Sequence, residues 1–235
     1  SALVTDKVVS QIRKCCEIAP LHNPANLLGI DAVTKALPSV PQVAVFDTAF
    51  HQTMPDYAYM YALPYEYYEK YRIRRYGFHG TSHKYVSAKG AAFAGLDLND
   101  SRIITCHLGN GSSVTAVQNG KSVDTSMGFT PLEGMIMGTR CGNIDPDIVT
   151  YLMDKEGFTP AQMSTVLNKK SGFQGLSGIS SDARDLNEAA NAGDRRAKLT
   201  LKKLTYDITK LIGAYTAAMN GFDLIVFTGG IGENN

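Results

Sequence analysis

No stretch of this chain approaches the roughly 20 consecutive apolar residues that a membrane-spanning helix needs, and the first residues carry no signal-peptide pattern. Neither sign of charge dominates. The 23 Lys and Arg are met by 22 Asp and Glu, and a net charge of +1 leaves no field to draw in nucleic acid or an anionic bilayer. Cysteine is scarce: Cys15, Cys16, Cys106 and Cys141 have neither zinc-ligand spacing nor the density of a disulfide framework. The expectation is a reduced, cytoplasmic setting with no nucleic-acid or membrane partner. Internal repeats and low-complexity tracts are missing, as is the strand–loop–helix Walker pattern.

What is present is an ordinary globular composition, 44% hydrophobic and 19% charged, over 235 residues, long enough for a sizeable core and up to two domains. Val4 to Ile18 carries apolar residues at helical spacing. Asn23-Pro24 predicts an N-cap followed by proline at the first helical position, opening a helix to about Ala36. Val43 to Asp47 predicts a buried strand ending on a carboxylate. The eight tyrosines between residues 57 and 76 predict packing at an edge or interface. A base-stacking platform would need a more basic surround than Glu66 and Glu69 leave. Thr81 is expected to cap a helix from Ser82 to about Ala94, closed by Gly95. Arg102–His107 predicts a strand, and Asn119-Gly120 between Ser113–Gln118 and Lys121–Thr125 predicts a hairpin. Asp145-Pro146 predicts a capped helix start. Asp194 to Met219 presents apolar residues at 201, 204, 208, 211, 212 and 215, one face of a long helix. Asp223–Thr228 predicts a buried strand leading into a glycine turn. The mixture is α/β.

The chemistry concentrates between Arg74 and Gly142, where three blocks set His, Asn or Arg beside glycines. Glycine lets backbone approach an anion, and the polar side chains then donate to it. In His107-Leu108-Gly109-Asn110-Gly111-Ser112-Ser113 the glycines allow a tight turn, with Asn110, Ser112 and Ser113 as added donors; the alternative is a plain glycine-rich hairpin turn. His79, in Phe78-His79-Gly80-Thr81-Ser82-His83, stands just ahead of a helix N-terminus, where an anion is favoured; it is either a donor to a phosphoryl group or a structural histidine, and His83 reads as structural. Arg140, between glycines, either grips an anion bidentately or forms a surface ion pair. Asp47 either holds a hydrated magnesium ion, acts as a base, or caps a helix. Asp182 and Arg184 read equally as nucleotide contacts or as a charged helix start. Gly229 to Asn234 follows a hydrophobic strand, the position at which nucleotides bind in α/β sheets.

Taken together, these blocks resemble the acetokinase family, within the actin, sugar kinase and Hsp70 superfamily. The resemblance rests on Val45 to Pro55, Tyr61 to Tyr68, Arg74 to His83, the His107 loop, Met137 to Arg140 and Gly230 to Asn234, and it covers essentially the whole chain. It implies a duplicated ribonuclease H-like fold, with two domains around a cleft, here incomplete at both ends. The halves are placed at residues 1–48 and 49–235. It also implies magnesium-dependent, reversible phosphoryl transfer between ATP and acetate, giving acetyl phosphate and ADP, in a cytoplasmic homodimer. His79 and Arg140 match residues that stabilise the transferring group, and Asp47 matches an essential acid. His107, Leu108, Gly109, Asn110 and Gly111 match a phosphate-binding element. Asp182, Ala183, Arg184, Gly230, Ile231, Gly232, Glu233 and Asn234 match nucleotide contacts. Leu21, Phe78 and Pro131 match a small acyl pocket with His22 nearby. Alternatives are a propionate or butyrate kinase of the same family, a nucleotide-driven binding module, or an inactive truncated fragment. Both ends read as cut, so the expectation is an internal piece of a longer chain, with the family's magnesium ligands outside it. Cys141-Gly142-Asn143 departs from the family pattern, which more often has Ser and Asp, and Asn143 is expected to remove a charge beside Arg140.

Overall fold

The computed structural model describes residues 1–16 and 22–234. In chain order its elements begin with β1 (Ala2–Leu3), α1 (Asp6–Lys14), α2 (Asn23–Ala36) and β2 (Val43–Ala44). After a 3₁₀ turn at Ala49–Thr53 come α3 (Asp56–Tyr59), α4 (Tyr65–Tyr71) and α5 (Gly80–Ala94), then β3 (Arg102–Leu108), β4 (Ser112–Gln118) and β5 (Lys121–Thr125). The chain continues through α6 (Asp147–Glu156), α7 (Pro160–Lys169), α8 (Gly172–Ser177), α9 (Ala183–Asn191) and α10 (Arg195–Ala218) to β6 (Leu224–Thr228) and α11 (Gly229–Asn234). The elements make a mixed α/β fold.

A four-stranded sheet ordered β5-β4-β3-β6 organises the described residues. Asn119 and Gly120 both adopt positive φ, 52° and 72°, the two-residue turn whose twist matches antiparallel neighbours. β6 pairs with β3 in parallel, and the long helical crossover supplies the reversal that a parallel neighbour requires. Alternation divides the sheet into two faces. Ile104, Cys106 and Leu108 with Val114 and Ala116 pack on α9, α10 and Phe173, burying Leu186, Ala190, Ala197, Leu204 and Tyr215. Each of the two leucines contributes about 1.5–3 kcal/mol by its burial. The predicted stripe on α10 is the one that packs here, and Asp194 caps the helix by accepting from the Ala197 N–H.

The opposite face meets α5 and changes character along its length. Its three cross-strand pairs are Ile103 with Val117, Thr105 with Thr115, and His107 with Ser113. The first is core; the third lies at the end of β3 from which the candidate site is built.

Several local expectations are revised. The segment from Val43 to Asp47 is a two-residue strand paired with β1, and Val43 and Val45 stay 61% and 65% exposed, so it is no buried strand. Position 22, not Asn23, is the N-cap of α2, with no side-chain cap bond. The helix expected from Ser82 begins at Gly80 and is capped from elsewhere. The glycine turn after β6 is the short helix α11. The tyrosine-rich segment packs in part: Tyr61 donates to Glu133, which also pairs with Arg75 at 2.6 Å, and the Arg74 guanidinium lies 3.6 Å from the Tyr59 ring centre, whereas Tyr57, Tyr65, Tyr67 and Tyr71 stay exposed.

Candidate active site

α5 starts on a residue with an uncommon backbone. His79 has φ 56°, a left-handed conformation tolerated by few side chains. Its own side chain gives the helix no cap. Asp47, 32 residues earlier, does: its Oδ2 accepts from the His79 N–H at 2.6 Å, and its carbonyl accepts from the Gly80 N–H at 2.9 Å. A Cβ at Gly80 would sit 2.2 Å from that carbonyl oxygen, so only glycine permits the approach. The expectation that Thr81 caps this helix fails because the cap comes from a distant loop. His51 fixes the same corner from below. Its Nε2–H donates to the Phe78 carbonyl at 2.9 Å, so its Nδ1 accepts from Ser122 Oγ at the same distance.

The His79 ring is then held on two sides. It stacks on His107 with ring centres 4.1 Å apart, and its Nδ1 lies 2.9 Å from Ser113 Oγ. Burial first, then His107 and Arg140, lowers its pKa to about 4, against the opposing pull of Asp47. It is a neutral imidazole at neutral pH. His107 is also lowered by burial, and its Nδ1 is bonded to Ser82 Oγ at 2.8 Å.

Arg140 arrives from the loop after β5. Its Nη1 donates to the Pro131 carbonyl at 3.1 Å, and among the described residues no carboxylate pairs with it, so the surface ion pair is not formed. Burial lowers its pKa. Gly111 shows that the guanidinium and the imidazole converge: a Cβ there would lie 3.4 Å from Arg140 Nη1 and 3.6 Å from His79 Nε2. Both line one cleft of about 880 Å³ with Asp47, Phe78, Pro131 and His22. Its far wall is largely apolar and comes from the N-terminal segment, including Val8, Ile12 and Ile30. Leu21 lies outside the described residues.

The remaining predicted residues sit elsewhere. The Asn110 carbonyl accepts from the Gly138 N–H at 3.1 Å, joining the His107 loop to the Arg140 loop. Ser112 and Ser113 do not offer their hydroxyls to a ligand: Ser112 donates to the Gly109 carbonyl, and Ser113 is buried between two histidines. Leu108 and Ala183 are buried in the core and Ile231 packs against it, so these three have only backbone to offer. Asp182 caps α9 through the Arg184 N–H and pairs with the Arg184 guanidinium at 2.6 Å, which holds its carboxyl down to about 2. The pair sits at the charged start of α9, with the Arg184 side chain still exposed to solvent. Gly230 to Asn234 lie in α11 beside Leu108, at the carboxyl ends of β3 and β6, and neither this group nor residues 182–184 line the main cleft. Asn143 is not beside the Arg140 guanidinium; its Oδ1 accepts from the Gly134 N–H at 2.9 Å and pins that turn. Sequence reasoning missed the roles of His51 and Ser113, for which only the cross-strand register supplies a signal.

Comparison with known proteins agrees with this geometry. The chain is 63% identical over all 235 residues to an acetate kinase of Caldanaerobacter subterraneus subsp. tengcongensis, covering 59% of that protein. It is 60% identical to one from Methanosarcina thermophila, covering 58% of it. The structure of Porphyromonas gingivalis acetate kinase superposes with a TM-score of 0.95 at 53% identity, covering 99% of this chain and 58% of the other. A propionate kinase from Francisella tularensis gives 0.96 at 48% identity, with 99% and 60% covered. The chain thus spans somewhat under two thirds of the relatives it matches. The family model described as the acetokinase family matches residues 1–235, and with the glycine-flanked His79, His107 and Arg140 loops gathered at one sheet end, this chain belongs to that family.

Proposed function

We propose that the protein containing this chain is an acetate kinase, transferring a phosphoryl group reversibly between ATP and acetate. The observation that carries this reading is the convergence on Gly111 of His79 and Arg140, which line one cleft. Phosphoryl transfer asks little covalent chemistry of a protein; it asks for in-line positioning and for neutralisation of charge on the moving group. A cationic guanidinium and an imidazole N–H aimed at one spot supply the second. The Nη2 and Nε of Arg140 make no hydrogen bond among the described residues, which supports a role in holding the acid's carboxylate and the transferring oxygens. Phe78 and Pro131 offer an apolar surface for the methyl group.

Asp47 is the acidic residue among those lining the cleft, and its Oδ2 is committed to the His79 N–H. One carboxylate with phosphate oxygens is an ordinary magnesium set, whereas no group of three or more His, Cys, Asp or Glu surrounds a common point among the described residues. The donors fit an ion carried in with the nucleotide. When bound, that magnesium neutralises phosphate charge, while Asp47 keeps the His79 backbone in place.

We assign the His107 loop and Gly230 to Asn234 to the nucleotide phosphates, because both lie at carboxyl ends of neighbouring parallel strands. Asp182 and Arg184 are assigned to the nucleoside. The division at residue 48 is proposed as the domain boundary, with the N-terminal wall closing on the site to exclude water. A cytoplasmic homodimer completes the proposal; the free thiols at Cys15, Cys16, Cys106 and Cys141 support a reducing compartment.

The similarity to a propionate kinase favours one second reading, preference for a longer acid. One methylene is worth only about 1–3 kcal/mol in such a pocket, so the two differ in degree. Acyl phosphate formation from acetate, propionate and butyrate, measured on the full-length protein, decides between them. His79→Ala and Arg140→Ala are each expected to lower kcat by about 10²–10³ with the fold retained, the usual cost of losing one transition-state donor. Unchanged turnover in either variant removes that residue from the mechanism.

A further inference from the structure

Behind His79 runs a line of buried polar groups that none of the roles above explains. Thr105 Oγ1 lies 2.7 Å from Nδ1 of His83, Nε2 of His83 lies 2.7 Å from Ser113 Oγ, and the same Oγ lies 2.9 Å from Nδ1 of His79. Thr105, His83 and Ser113 are all 0% exposed. They come from β3, α5 and β4, brought into line by the register that pairs Thr105 with Thr115 and His107 with Ser113.

A neutral imidazole has one N–H and one lone pair, and a hydroxyl has a single hydrogen. Burial favours the neutral form at both histidines. The hydrogens therefore run along this line in one of two directions. In the first, Thr105 donates to His83 Nδ1, His83 Nε2–H donates to Ser113, and Ser113 donates to His79 Nδ1. Every buried hydrogen has an acceptor, and His79 carries its remaining proton on Nε2. In the second, His79 Nδ1–H donates to Ser113, Ser113 to His83 Nε2, and His83 Nδ1–H to Thr105. The Thr105 hydroxyl then needs another acceptor, and it makes no other hydrogen bond among the described residues. A buried hydroxyl hydrogen without an acceptor is the costly arrangement, so the first direction prevails.

We infer that Ser113, backed by His83 and Thr105, is a positioning residue that locks His79 in the tautomer whose Nε2–H faces the cleft beside Gly111 and Arg140. For its catalytic consequence this inference rests on the phosphoryl-transfer reading. An anionic group in the cleft meets a hydrogen-bond donor; the other tautomer would turn a lone pair toward it. The stacked His107 ring and the His51 bond to the Phe78 carbonyl hold the plane and the backbone, but neither bonds the His79 ring nitrogens, and Ser113 does.

The test is long-range ¹H–¹⁵N NMR of the His79 ring in the full-length protein at neutral pH, with His79→Asn identifying the signal, alongside kinetics. In the unsubstituted protein the proton is expected on Nε2 and not on Nδ1. Ser113→Ala is expected to populate the Nδ1–H form and lower kcat about tenfold, less than loss of the imidazole itself, with KM for the acid changed by under about twofold. Ser113→Thr, which keeps the hydroxyl, is expected to restore both. A His79 protonated on Nδ1 overturns the inference, as does a Ser113→Ala protein with unaltered tautomer and turnover. If Ser113→Ala does not fold, the spectrum of the unsubstituted protein decides. A protein with the Nε2–H tautomer that transfers no phosphate upholds this inference and removes the kinase reading; an active kinase with Nδ1–H does the opposite.

Discussion

His79 and Arg140 gain their potential from what surrounds them. Neither is unusual as a residue type, and both stand out in the sequence because glycines flank them and leave the backbone open to an anion. Their meeting point was not legible, since Gly111 and Arg140 come together only through loops at one sheet end. That meeting point can be probed without removing either donor. In Gly111→Ala the new methyl makes ordinary contact with both side chains, at 3.4 and 3.6 Å, and Gly111 does not occupy a positive-φ conformation. The expected outcome is a melting temperature close to the parent's and a kcat at least about tenfold lower, because the methyl occupies the space where donors and reacting group must meet. An unaffected kcat would mean that the reacting group lies elsewhere. The same scale explains the misread serines: Ser112 and Ser113 look like two donors for a phosphate, but one bonds backbone and the other is buried.

At the scale of elements, α5 is the component that the sequence misplaces by two residues, and the reason is physical. N-cap rules are local, whereas this helix takes its cap from Asp47 across 32 residues. Asp47 thus carries two separable duties, one as acceptor and one as charge. Asp47→Asn keeps an acceptor for the His79 N–H and removes the charge; Asp47→Ala removes both. Asp47→Ala is expected to destabilise by about 1 kcal/mol through the lost cap, and Asp47→Asn by much less. Both are expected to lose activity if the charge serves the reaction. Urea unfolding beside turnover distinguishes them, and an active Asp47→Asn enzyme would leave Asp47 a cap alone. The Asn119-Gly120 hairpin and the long helix α10 were read correctly because their signals are local: two residues of positive φ, and one apolar face repeated over six turns or so. Val43 to Phe46 has the composition of a buried strand, yet its only sheet partner among the described residues is the two-residue β1, and nothing in composition reveals which partners a strand will find.

For the whole molecule, the notable fact is that His51, His79, His83 and His107 are all held below the ordinary histidine pKa, with burial the largest cause at each. The folded state accepts the neutral form; the unfolded chain takes a proton near pH 6.5. Below that value the unfolded state binds more protons, so stability contributed by these groups is fully present above about pH 6.5 and is lost as pH falls toward about 4, the folded value of His79. For the fully buried His83 the slope approaches about 1.4 kcal/mol per pH unit. Urea midpoints measured on the full-length protein are expected to be level above pH 6.5 and to fall steeply below it. A midpoint that stays level through that window would show that these histidines are protonated in the fold.

Local pattern was enough to suggest anion handling, because that needs particular residue types beside glycine, and the same blocks together carried the family resemblance. Local pattern was enough, too, for elements whose hydrogen bonds close within a few residues. Which histidine touches which serine, where a helix finds its cap, and whether two donors share one cleft depend on strand register and on contacts between segments far apart in the chain. Those are settled by packing, where a shift of one residue in a strand turns every side chain to the other face.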